Sequence, residues 1–398
     1  MSTRYAIVIP SGAADEPVAD LGRRTPLETA TLHATAALAA QGRIGRVRTI
    51  PTGLAPGGDV GLISLLGYDP ATHFTGRAPI EAVARNVSIG RDEVAFRCNL
   101  VTLAEETLVD ATAGRIRTAE AEPILAALNA ALADEGVRFI SGRAYRHLAV
   151  VRDTETLDAV CTPPHDIVGE SAADYRPRGG GAKRLNRILD RANAIVAAHD
   201  INLVRRDLGE TPATAIWLWG QGVLPVLPRF RQQNGLRAAL IGGVDLTLGL
   251  AKLLGMNPID VPGATGGLDT DYAAKGRAAV AALEEHDLVV VYVEAPAEAA
   301  HAGDALAKVA ALERIDAHII APILDKLALF DRWRLLIAAD HAVSTPRRVS
   351  TAEATPFVMA GEGVTRLFDA GGLTERAAEA SDLHIDRGHE LMEYFLRM

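Results

Sequence analysis

Residues 335–339, Leu-Leu-Ile-Ala-Ala, form an apolar run of strand length that stops abruptly at Asp340-His341. A run without polar alternation reads as a parallel strand covered on both faces. In open α/β sheets the chemistry gathers just beyond the carboxyl ends of such strands. A carboxylate and an imidazole at that end hold a divalent metal, act as a base and its orienter, or simply close a turn. Residues 288–293, Leu-Val-Val-Val-Tyr-Val, are a second run of the same kind, ending at Glu294. A β-rich run over residues 5–10 breaks at Ser11-Gly12 and is a third.

Between these runs the pattern alternates. Thr25-Pro26-Leu27-Glu28 supplies an N-cap, a proline at the first helical position and an early acid, which predicts a helix to about residue 41. A strand over 42–49 leads to a Gly/Pro-rich loop at 51–59 and a short helix over 60–66, with Asp59 as its cap. The amides at that helix start either receive an anion or belong to an ordinary strand-to-helix turn. After residue 236 come a strand at 237–241, helices at 244–254 and 271–284, a long helix ending near 330, a strand at 356–360 and a terminal helix at 387–397. This rhythm predicts an α/β fold, a mainly parallel sheet with helices on both faces.

From about 85 to 234 the texture changes. Strands are expected at 94–103, 137–141, 147–152 and 214–218, with helices near 118–134 and 181–199. The long loop 163–181 holds Pro-Arg-Gly-Gly-Gly-Ala-Lys-Arg and reads as a solvated linker or an anion-binding lid. The expected organisation is therefore a discontinuous core of residues 1–84 and 235–398, interrupted by an inserted α/β domain at 85–234.

The 48% hydrophobic content is enough for ample core, and an excess of 50 acidic over 41 basic residues argues against nucleic acid or an anionic membrane as partner. Cys98 and Cys161 make neither a disulfide framework nor a thiolate metal site. No signal-peptide pattern opens the sequence and no apolar run reaches about 18 residues, so a cytoplasmic protein is expected.

Several blocks together resemble the archaeal-type cofactor-independent phosphoglycerate mutases of the alkaline phosphatase superfamily. They are Leu-Leu-Gly-Tyr-Asp-Pro at 65–70, Thr-Gly-Arg-Ala-Pro-Ile-Glu-Ala at 75–82, Phe-Arg-Cys-Asn at 96–99 and Ala-Gly-Arg-Ile at 113–116. Ile-Trp-Leu-Trp-Gly-Gln-Gly at 216–222 and Val-Pro-Gly-Ala-Thr-Gly at 261–266 complete the set. The resemblance spans nearly the whole chain. It implies an alkaline-phosphatase-like core with two adjacent metals and an inserted domain that closes over substrate. It also implies 2- and 3-phosphoglycerate as substrates, exchanged through a phosphoserine. The expected substrate-binding side chains are Arg77, Arg97, Asn99, Arg115, Arg347 and Arg348.

The catalytic positions depart from that pattern. Ser11 stands where the family's first strand ends in a metal-binding Asp. Gly58 stands where the nucleophilic Ser belongs, and Ala297 replaces the Asp of the Asp-x-x-x-His motif. The last His ligand falls on Ser350 if no gap intervenes. Only His301, Asp340 and His341 remain as metal-site or catalytic candidates, with Glu294, Glu298 and Asp59 as the carboxylates a rearranged ligand set would draw on.

Glycine has no atom with which to attack phosphorus. The expectation is thus no metal, or one weakly bound manganese, magnesium or zinc. Three readings stay open. The first is a mutase homologue that binds a phosphorylated or phosphono small acid, such as phosphoglycerate, and transfers or isomerises it without a phosphoserine. The second is a non-catalytic ligand-binding or regulatory protein. The third is an active mutase with substituted ligands.

Overall fold

The computed structural model describes residues 3–367 and 371–397. The chain divides into two compact units, Met1–Phe74 with Val226–Met398, and Thr75–Pro225. The divisions fall at 74/75 and 225/226 rather than at 84/85 and 234/235, for a packing reason. Helix Arg77–Ala84 lies on the second unit's strands Val94–Ala104 and Ala215–Gly222, with Ala78 and Ala82 buried against Ala95, Leu148 and Val150. Helix Phe230–Asn234 instead belongs to the first unit, where Phe230 is buried and Arg229 donates to the carbonyl of Lys252 at 2.8 Å.

Among the described residues, the first unit is built on an eight-stranded sheet. Its spatial order is Asn257–Ile259, Ala238–Ile241, Leu288–Val293, Arg4–Pro10, Trp333–Ala338, Thr355–Gly361, Arg43–Val47 and His384–Ile385. Every pairing is parallel except the two made by Thr355–Gly361. The predominantly apolar residues 6–10, 288–293 and 335–338 of the three central strands are buried throughout, as strands covered on both faces should be. Register decides what they deliver. Val8 lies beside both Val291 and Ile337, so the three strands end level and present Ser11, Tyr292 and Asp340 at one edge.

Three helical expectations are refined by tertiary contacts. The helix predicted from 25 to 41 is broken into Pro26–Thr29 and His33–Gln41, because the Asp316 carboxylate captures the Ala34 and Thr35 amides at 2.9 and 2.8 Å. The long helix toward residue 330 is interrupted twice. Gly303 takes the left-handed conformation that ends Ala295–Ala302, and a wide turn at Asp316–Ile320 separates Ala305–Ile315 from Ala321–Leu327. The helix expected at 60–66 begins at Gly58, placing Asp59 in its first turn rather than at its cap.

The second unit is an antiparallel sheet centred on Val94–Ala104, which pairs with Arg146–Val151, Ala215–Gly222 and Thr107–Asp110. Val137–Arg143 extends it, and helices Thr118–Ala131 and Ala182–Ala198 cover it. The loop at 163–181 is not a solvated linker. Its backbone exchanges bonds with Leu108 through Gly169 and Glu170, and the Arg176 guanidinium is held by Asn186 at 2.9 Å. Among the described residues no helix is long and apolar enough to cross a membrane.

Candidate functional site

The Asp340 carboxylate is fully buried and surrounded by donors. Its Oδ1 accepts from the Gly12 amide at 3.0 Å and the His341 amide at 2.8 Å, with His341 Nδ1 also at 2.8 Å. Its Oδ2 accepts from Ser11 Oγ at 2.9 Å and from the Tyr292 hydroxyl at 2.7 Å, and that hydroxyl lies 2.9 Å from Ser11 Oγ. Burial pushes the Asp340 carboxyl up, but the His341 ring and the bonds from His341, Tyr292 and Gly12 outweigh it and hold it below the ordinary carboxylate range. Burial, then the negative charge of Asp340, push the Tyr292 phenol well above its usual range. Asp340 is therefore a satisfied anion and Tyr292 a neutral donor.

Sequence reasoning brings Ser11, Gly58, Ala297, Asp340 and His341 to this edge, and the structure gathers all five. A Cβ added to Gly58 would lie 3.1 Å from Asp340 Oδ2 and 3.6 Å from Ser11 Oγ. One added to Gly12 would meet the Ala297 Cβ and the Val343 side chain, each at 2.7 Å. Ala297, Ala300 and Val343 form a small apolar cluster, and Ser350 sits across a two-stranded pairing from Val343. His301 is half-buried, with Nδ1 3.1 Å from the carbonyl of Arg348. Among the described residues, no three His, Cys, Asp or Glu side chains come together as metal ligands.

The other carboxylates near this edge have their own partners. Fully buried Lys275 donates to the Tyr292 carbonyl at 3.2 Å and lies 3.8 Å from Glu294. Asp59 Oδ1 accepts the Val60 amide at 3.0 Å. Tyr292 itself is the residue that sequence reasoning passes over. The available signal is a single hydroxyl inside a Leu/Val strand, because a buried tyrosine oxygen needs a hydrogen-bond partner.

The second unit carries a distinct charged group. The Glu81 carboxylate accepts from Arg77 Nε at 2.8 Å and from Arg97 Nε at 3.0 Å, while the Arg97 guanidinium stacks 4.2 Å over the Trp219 ring. Trp219 Nε1 in turn donates to Asn99 Oδ1 at 3.2 Å. Burial pushes the Glu81 carboxyl up, yet Arg97 and Arg77 bring it down to about 2. Burial lowers Arg97 to about 10, against the pull of Glu81 and with repulsion from Arg77 and Arg146. Two guanidiniums on one carboxylate leave positive charge over, in the planar geometry that suits phosphate and carboxylate.

The remaining arginines are placed elsewhere. Arg115 is exposed on a turn, with its amide bound to Thr112 rather than joined to the Glu81 group. Arg347 is paired with Glu16 at 3.0 Å. Arg348 adopts a left-handed conformation beside Gly303.

A family model of the 2,3-bisphosphoglycerate-independent phosphoglycerate mutases matches residues 39–202. The mutase of that name from Methanothrix thermoacetophila is 43% identical over 91% of both chains. The second such mutase of Methanothermobacter thermautotrophicus is 43% identical over 100% of this chain and 98% of its own length. Among solved structures, a Pyrococcus horikoshii protein superposes with a TM-score of 0.81 at 25% identity, covering 100% of this chain and 97% of its own. The cofactor-independent phosphoglycerate mutase of Thermoplasma acidophilum gives 0.61 at 25% identity, with 100% and 99% covered. With near-complete coverage at this identity, the chain belongs to the 2,3-bisphosphoglycerate-independent phosphoglycerate mutase family.

Proposed function

We propose that this protein binds a phosphorylated or phosphono small acid of the phosphoglycerate class without passing its phosphoryl group through a phosphoserine. The observation that carries this is Gly58. The helix-opening position facing Ser11 and Asp340 has no side-chain oxygen. The divalent metals implied by the family do not fit the side chains present. The lone pairs of Asp340 are taken up by donors, and Ala297 and Val343 make the adjoining wall apolar. No step is therefore assigned to a metal.

Binding rests on the Arg77–Glu81–Arg97 group, where Trp219 and Glu81 fix the Arg97 guanidinium so that less rotamer freedom is lost when an anion arrives. Within the first unit, the side chains left for acid–base chemistry are His341, oriented by Asp340, and His301. Such catalysis typically contributes about 10²–10⁴-fold, short of what phosphate-ester transfer requires. Ordinary mutase activity is the competing reading, favoured by the full-length match to relatives named for it.

The test uses protein free of host mutase. Phosphorus NMR should show no interconversion of 2- and 3-phosphoglycerate. Calorimetry should show saturable 3-phosphoglycerate binding that Arg97→Ala weakens at least about tenfold, equivalent to ~1.4 kcal/mol. Turnover at ordinary enzymatic rates establishes the competing reading, and failure of the wild-type protein to bind removes the proposed one.

A further inference from the structure

Gly58 is not needed for backbone freedom, because its φ lies outside the left-handed region. What it supplies is room. A Cβ built there would lie 2.4 Å from the Tyr292 hydroxyl oxygen, closer than any real contact allows. That oxygen is not mobile filler. It is buried and bonded to Asp340 and Ser11 at once, and its strand is locked in register with Arg4–Pro10.

We propose that the Tyr292 hydroxyl and the bare Gly58 are a coupled pair that stands in for the metal cage the family implies at this edge. Hydrogen bonds, rather than cations, stabilise the Asp340 anion and tie together the ends of the three central strands. The tyrosine oxygen occupies the volume into which a side chain at 58 would project. Ser11 completes the group: its hydroxyl lies 2.9 Å from both Asp340 Oδ2 and the Tyr292 oxygen and has a proton to donate, whereas an ionised acidic side chain at 11 would bring only a second negative charge. The inference concerns what holds the strand edge together. It stands whether or not the arginine group binds a phosphorylated acid.

The experiment compares wild type, Tyr292→Phe, Gly58→Ala and the double variant by thermal unfolding, with and without EDTA. The wild-type protein is also titrated calorimetrically with manganese and zinc. Three results are expected. EDTA leaves the wild-type midpoint unchanged, neither metal shows saturable binding at micromolar concentration, and Gly58→Ala lowers the midpoint clearly less in the Tyr292→Phe background than in wild type. Equal losses in the two backgrounds would show that the hydroxyl is not what fills the space, and would overturn the proposal. A wild-type midpoint that falls with EDTA, or stoichiometric metal binding, overturns it as well. Should Gly58→Ala alone fail to fold, a folded double variant supports the coupling and an unfolded one refutes it. Gly58→Ser introduced alone meets the same obstruction, so any attempt to restore a nucleophile at 58 has to remove the Tyr292 hydroxyl first.

Discussion

Replacing Asp340 with alanine is expected to destabilise the first unit by more than about 4 kcal/mol, near the top of the range for single substitutions. The reason is the number of donors that lose their acceptor together. The Ser11 and Tyr292 hydroxyls and the Gly12 and His341 amides all converge on this carboxylate in a buried setting. Each buried donor left without a partner costs about 1–3 kcal/mol. Asp340→Asn, which keeps the shape and one acceptor but turns an NH₂ toward existing donors, should fall in between. Urea denaturation followed by circular dichroism distinguishes the cases. A loss within about 1 kcal/mol for Asp340→Ala, the level of an ordinary surface change, would show that this network adds no stability.

The second large effect lies in the other unit. Glu81→Ala leaves the buried Arg97 guanidinium without its anion, and breaking a buried pair from one side typically costs about 3–5 kcal/mol. The same carboxylate sets a pH dependence. Its pKa is depressed from 4.5 to about 2 on folding, so its contribution is fully present above about pH 4.5 and is lost as pH falls toward 2. Wild-type denaturation midpoints should therefore decline across that window, and the part of the decline due to Glu81 should vanish in Glu81→Gln. A variant that retains the wild-type slope would place the acid sensitivity on other carboxylates. Glu81→Gln should also loosen the orientation of Arg77 and Arg97 and weaken 3-phosphoglycerate binding.

Much of this architecture is legible without coordinates, because the information is local. The unbroken apolar runs at 288–293 and 335–339 read as strands covered on both faces, and the alternation of strands with helices points to a mainly parallel sheet. The identity of the bare positions is equally local. Gly58 and Ala297 carry no ligating side-chain atom in any fold.

What sequence could not supply was partnership. The helix at 25–41 obeys its own capping signals at Thr25, yet breaks because Asp316, distant in the chain, takes the Ala34 and Thr35 amides. Helix Arg77–Ala84 looks like the end of the core domain until its alanines are seen packed on the second unit's sheet. Tyr292 reads as one more buried residue, since nothing near it in sequence announces Ser11, Gly58 or Asp340. Strand composition indicates only that these segments are strands buried on both faces. Parallel register and the direction in which each side chain leaves its strand decide which atoms meet, and those are properties of the packed sheet alone.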